Sequence, residues 1–193
     1  MRTAETDLRE IKNLMERSSR FISLSGLSGI FAGIYALVGT WLAYRIMENT
    51  PGPESFAPLV GLAMAVLVLS LVTAIFLTTR NARKKNQKVW DKLSQRMLLN
   101  LGIPLLSGGI FLLILLYREM YSLAAPVMLI FYGLALINGS KYTLNDIRYL
   151  GLLEIALGLI AVAYTGYDLL FWGAGFGVLH IIYGALMYWK YER

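Results

Sequence analysis

Apolar blocks about 20 residues long, recurring along the whole chain, decide what it can fold into. At 1.5 Å of rise per residue, a helix of ~20 residues crosses a hydrocarbon core ~30 Å thick. Six such blocks are read from the sequence: Phe21–Tyr44, Ala57–Thr79, Leu98–Leu116, Ser122–Gly139, Tyr149–Ala163 and Leu169–Trp189. The fourth and fifth are short, at 18 and 15 residues, and are expected to extend into their flanks. The pattern predicts an all-α, polytopic membrane protein of six transmembrane helices.

Composition agrees. Hydrophobic residues make up 57% of the chain and charged ones 16%, against roughly 45–50% and about 25% in a soluble domain. A soluble globule, a disulfide scaffold and a disordered chain are thereby excluded. No single stretch outside the spans reaches the ~50 residues that a second folded domain needs. The expected organisation is a cytoplasmic segment over 1–20 and a transmembrane domain over 21–193. With no cysteine in the chain, disulfides, thiolate metal sites and cysteine nucleophiles are ruled out.

The basic residues encode orientation. Of the 18 Lys and Arg, 16 fall in the N-terminal segment, the second connection, the fourth connection and the C-terminus; Arg45 and Arg118 alone fall on the other side. The positive-inside rule then places both termini in the cytoplasm. The same distribution accounts for the net charge of +6 without invoking nucleic acid. Trp41, Tyr44, Trp90, Tyr117, Tyr121, Tyr167, Tyr188 and Trp189 lie near span ends, where an interfacial belt forms. Connections Tyr117–Tyr121 and Tyr164–Asp168 are tight enough to force antiparallel hairpins.

Two flanking stretches carry helical periodicity. Leu8, Ile11 and Met15, with Leu14 beside them, predict a short amphipathic helix in the N-terminal segment. That segment is too acidic for a transit peptide, and a poor cleavage site follows the first block, so the block is expected to be retained. In the basic connection 80–97, Lys84, Lys88 and Lys92 are four apart, with Val89, Leu93 and Met97 on a neighbouring stripe. This predicts a basic amphipathic helix at the cytoplasmic surface, or one extending the third span. Arg83, Lys84, Lys85, Lys88 and Lys92 form the candidate surface for anionic lipids or a partner, each cation worth ~1 kcal/mol near such a surface.

An internal repeat is visible. Leu27-Ser28-Gly29-Ile30-Phe31 echoes Leu106-Ser107-Gly108-Gly109-Ile110-Phe111, and Phe131-Tyr132-Gly133 echoes Ile182-Tyr183-Gly184. Spans three and four align with five and six at an offset of 49 to 51 residues. With its Gly-Leu-Leu-x-x-x-Leu-Gly segment from Gly151 and its Ile-Ile-Tyr-Gly-Ala-Leu segment from Ile181, hairpin Gly151–Tyr188 resembles the tandem hairpins of HdeD-type acid-resistance membrane proteins. Over its whole length, including Lys141–Leu150, the chain also looks like small bacterial membrane proteins of six helices. These resemblances imply a six-helix bundle in a bacterial inner membrane and carry over no site residues. The long basic connection and the polar N-terminus depart from the HdeD-type pattern.

Candidate chemistry is confined to a few residues. Glu154 is the only acidic residue well inside a span. An ionised carboxylate there is costly, so it reads either as a proton carrier or as a hydrogen-bonded carboxyl that holds helix register. His180, the sole histidine, reads as a pH sensor or as an interhelical polar contact. The two residues differ in depth by ~6 Å and their side chains lean apart in regular helices. Tyr183, one turn nearer the cytoplasm, is therefore the expected partner of Glu154, with Ser25 and Ser28 at similar depth. Gly29 with Gly33 and Gly173 with Gly177 have the small-xxx-small spacing that lets helices approach closely. Pro104 and Pro126 are read as lying inside spans three and four, where each deletes a backbone donor.

One histidine, one nearby carboxylate and no thiol do not make a metal site, and no serine has a histidine and acid at matching depth. No catalytic residue, cofactor or metal is expected, and the chain is not expected to be an enzyme. The leading expectation is a non-enzymatic accessory or stress-related membrane protein, acting through helix packing and a basic cytoplasmic surface. The alternative is a small oligomeric transporter or channel, proton-coupled through Glu154. A continuous polar cavity reaching Glu154 would favour the second; a dry bundle would count against it.

Overall fold

The computed structural model describes residues 24–84 and 89–193. Among these residues the chain forms six helices and no strands: α1 (Gly26–Asn49), α2 (Phe56–Lys84), α3 (Lys92–Tyr117), α4 (Ala124–Gly139), α5 (Asp146–Ala163) and α6 (Asp168–Tyr191). Five are long and apolar enough to cross a membrane. The sixth, α5, has 18 residues and carries Asp146, Arg148 and Glu154 among them. The N-terminal segment with its expected amphipathic helix lies outside the described residues, as do Lys85 and Lys88.

The basic connection differs from the single amphipathic helix expected of it. Helix α2 continues through Arg80 and Arg83 to Lys84, and α3 starts afresh at Lys92. Asp91 imposes the break: its carboxylate accepts from the Ser94 amide at 2.7 Å, and the Ser94 hydroxyl accepts from the Asp91 amide at 2.9 Å. This reciprocal cap satisfies donors that a continuous helix would otherwise use. Arg83 and Lys84 thus belong to one helix and Lys92 to the next. Pro126 also moves: α4 begins at Ala124, so the proline falls in its first turn, where the missing amide breaks no helical bond.

Two helix pairs are packed backbone to backbone, α1 with α6 and α4 with α5. A Cβ added at Gly33 would lie 2.6 Å from the Gly177 carbonyl oxygen, and one at Gly184 would lie 2.7 Å from that of Gly26. In the other pair, a Cβ at Gly158 would lie 3.0 Å from the Pro126 carbonyl oxygen, and one at Gly133 2.5 Å from that of Gly151. Such distances leave no room for a side chain. The two interfaces share one register: Gly26, Ile30 and Gly33 of α1 correspond to Gly151, Ile155 and Gly158 of α5. Likewise, Gly177, Ile181 and Gly184 of α6 correspond to Pro126, Ile130 and Gly133 of α4. Between α4 and α6 the offset is 51 residues, within the sequence repeat.

The remaining helices are more open. None of the most apolar stretch of α2 is buried, and Gly61, Gly102 and Gly109 have nothing within 4 Å of an added Cβ. Helices α5 and α6, consecutive in sequence, touch only lightly. Polar bonds tie helix ends together: Lys190 and Tyr191 to Asp146, Ser25 and the Gly26 amide to Glu192, Asn138 to the Asn100 carbonyl, and Asn81 to the Leu24 carbonyl.

Candidate functional site

Helix α6 is not a uniform α-helix. Residues Gly173–Leu179 form a π-helical stretch between α-helical segments Asp168–Trp172 and His180–Tyr191. A π turn bonds i to i+5 and takes in an extra residue, which shifts the phase of everything after it by up to ~100°. His180, the first residue after the stretch, is turned onto the side where α4 and α5 meet.

There it joins Glu154. The Glu154 side chain is fully buried, and its Oε1 stands 3.4 Å from His180 Nδ1. The same nitrogen lies 3.0 Å from the Gly175 carbonyl oxygen, five residues back across the π stretch. Tyr132 of α4 completes the group, with its hydroxyl 2.8 Å from His180 Nε2. A carbonyl only accepts, so in the neutral imidazole Nδ1 carries the hydrogen and Nε2 accepts from the Tyr132 hydroxyl. Among the described residues neither Glu154 oxygen has a hydrogen-bond partner. That leaves the carboxyl as the one member of the group with unused capacity, an expensive arrangement in a low-dielectric interior.

The surroundings are apolar and tight. Leu129 and Pro126 of α4 are among the most deeply buried side chains. A Cβ at Gly175 would lie 2.6 Å from Glu154 Oε2, so only glycine leaves the carboxyl its place. Phe176 packs 5.1 Å from the Tyr132 ring and 5.9 Å from the His180 ring, and Trp172 lies 5.3 Å from Phe176. Glu154 thus sits buried among apolar side chains. Among the described residues no three His, Asp or Glu side chains are grouped to hold a metal ion.

The other candidate residues lie elsewhere. Among the described residues Tyr183 makes no hydrogen bond to Glu154. The widened turn explains the correction: with the phase of α6 shifted, the expected pairing passes from Tyr183 to His180. Ser25 donates to Glu192 Oε2 at 3.2 Å, and Ser28 donates to the Ser25 carbonyl at 2.5 Å, so both belong to the start of α1. Gly29, Gly33, Gly173 and Gly177 all line the α1–α6 contact, Gly173 against Thr40 and Gly177 against Leu37. Tyr132 was missed as a site residue, although a signal existed: in the repeat it is the counterpart of Tyr183.

Above the cluster, toward the first turn of α5, Asp146 accepts from Lys190 at 2.9 and 3.1 Å and from the Tyr191 hydroxyl at 2.5 Å. Burial works to raise the Asp146 carboxyl, but the hydrogen bonds from Tyr191 and Lys190, with the Lys190 charge, outweigh it. The result lies below the ordinary 3.8.

No family model matches this chain, and no curated protein or solved structure does. The likeness to HdeD-type hairpins remains one of glycine spacing, and the site is read on its own geometry.

Proposed function

We propose that this is a non-enzymatic accessory or stress-responsive protein of a bacterial inner membrane, whose helix packing responds to protonation of the Glu154–His180–Tyr132 cluster. The observation that carries the reading is the fully buried Glu154 carboxyl, without a hydrogen bond and 3.4 Å from the single histidine. Intramembrane ionisable groups are costly, and function is their usual justification. Full burial among apolar side chains favours a group that alters packing over one that lines an open conduit. The protein is an antiparallel six-helix bundle of hairpins with both termini in the cytoplasm. Support for this comes from the Lys and Arg distribution and from bonds joining starts of odd-numbered helices to ends of even-numbered ones, such as Asp146 to Lys190 and Asn100 to Asn138. The cytoplasmic face, with Arg83, Lys84 and Lys92 exposed on it, meets anionic lipids.

A second reading, a small oligomeric transporter coupled to protons through Glu154, draws on the continuity of the chain from Glu154 through His180 to Tyr132. Reconstitution into liposomes holding a pH dye separates the two. The first reading predicts no proton flux, together with a pH-dependent change in interhelical distances that Glu154→Gln abolishes. Flux that Glu154→Gln abolishes would select the second.

A further inference from the structure

Where α5 meets α6, polar residues of both helices gather along a lightly packed contact. On α5 they are Asp146, Tyr149 and Glu154; on α6 they are His180, Tyr183 and then Lys190 with Tyr191. Their contacts are graded by depth. Glu154 meets His180 in the core and Asp146 meets Lys190 and Tyr191 at the top, with Tyr149 and Tyr183 between them along the two helices. Leu150 and Met187, both buried, lie between these polar residues along the two helices.

We infer that the α5–α6 seam is the route by which water and protons reach Glu154 from the cytoplasm, and that the Asp146–Lys190–Tyr191 bonds are the latch that closes it. The alternatives along the bundle are poorer. The α1–α6 and α4–α5 contacts are backbone against backbone and admit no water, since even one added carbon meets a carbonyl oxygen there. Nothing of that kind joins α5 to α6. Their bonds at the top are made by side chains of which Lys190 is largely exposed, and exposed ion pairs exchange readily with water. Parting the latch and displacing Leu150 and Met187 would connect these polar residues to the Glu154 carboxyl. No other charged side chain makes a hydrogen bond or ion pair with Glu154 or His180 from α1, α4 or α6 among the described residues.

The inference rests on the protonation reading of the cluster but is tested separately from it. Because the chain has no cysteine, single cysteines are introduced without removing any. Tyr183→Cys on the seam and Ile182→Cys, which faces outward, are placed in liposomes and treated with a charged, membrane-impermeant thiol reagent from the cytoplasmic side. The inference predicts slow modification of Tyr183→Cys, accelerated roughly tenfold by Asp146→Asn and again by Lys190→Gln. Ile182→Cys stays inert in all three backgrounds. A rate at Tyr183→Cys that neither latch variant changes, or one no greater than at Ile182→Cys, overturns it. Size-exclusion profiles identify a misfolded variant, and the two latch variants check each other. Labelling reports access alone, so an inert Glu154 would overturn the functional reading while leaving this result standing.

Discussion

The two glycine-packed pairs and the polar seam between them are held by different physics. In α1–α6 and α4–α5, carbonyl oxygens and helix backbones meet where any side chain would stand, in one register used twice. Close approach of this kind gains dispersion and has no need of polar atoms. The seam joining these pairs instead gathers Glu154, His180 and Tyr132 in its core and Asp146, Lys190 and Tyr191 at its top. A contact fixed by backbone sterics has one arrangement. A contact fixed by an unsatisfied carboxyl, an imidazole and an exposed ion pair has several, separated by proton position. The pairs are the frame, and the seam is where we propose that the bundle changes.

The contrast is broken most directly by adding one carbon to the frame. Gly184→Ala and its repeat counterpart Gly133→Ala each drive a Cβ against backbone, so both should cost stability by ~1–3 kcal/mol or more in reversible unfolding from detergent micelles. Similar losses at both sites would support the shared register; a loss at only one would dissolve it. The seam should respond in the opposite sense. Glu154→Leu removes a buried carboxyl that has no hydrogen bond, so stability is expected to stay level or rise by ~1 kcal/mol, while the response to pH disappears. A loss of several kcal/mol would instead make Glu154 a register element of the frame. Tyr132→Phe takes one donor from His180 Nε2 and should cost ~0.5–1.5 kcal/mol.

The latch gives a smaller and sign-specific effect. A carboxyl held below its ordinary 3.8 stabilises the fold above that value and loses this contribution as pH falls through its lowered one. The stability difference between the wild type and Asp146→Asn should therefore be constant from pH 7 to about pH 5 and shrink only in stronger acid. A difference that vanished between pH 7 and 5 would show that Asp146 is not held by Lys190 and Tyr191. Smallest of all, Gly102→Ala and Gly109→Ala on α3 meet open space, and each should change stability by less than ~0.5 kcal/mol.

Much of the frame was legible in the sequence because hydrophobic block length and glycine spacing are local signals. The helix over Asp146–Ala163, which carries Asp146, Arg148 and Glu154, was legible as the apolar block Tyr149–Ala163 and extends from it into its flank, as expected. Gly29, Gly33, Gly173 and Gly177 were visible as packing residues, whereas the close contacts of Gly26, Gly133 and Gly184 were not, since each acquires meaning only with its partner helix in place. The seam was harder to read. Glu154 and His180 stood out as isolated polar residues in apolar runs, but their pairing depends on the π stretch Gly173–Leu179. Three glycines in that stretch suggested only close packing; nothing local announced an extra residue in the turn. Treating α6 as a regular helix assigned Tyr183 to Glu154, when the repeat counterpart Tyr132 was the tyrosine that reached the cluster. The Asp91–Ser94 cap similarly broke a basic helix that charge spacing alone made continuous.

The most direct test of the account is infrared difference spectroscopy of the whole protein in nanodiscs, stepping the pH with Glu154→Gln as the control. The account predicts a carboxyl carbonyl band that changes with pH, vanishes in Glu154→Gln, and moves in frequency when His180→Gln or Tyr132→Phe alters its surroundings. A pH-dependent band untouched by either neighbour, or no band assignable to Glu154 at any pH at which the bundle stays folded, would contradict it.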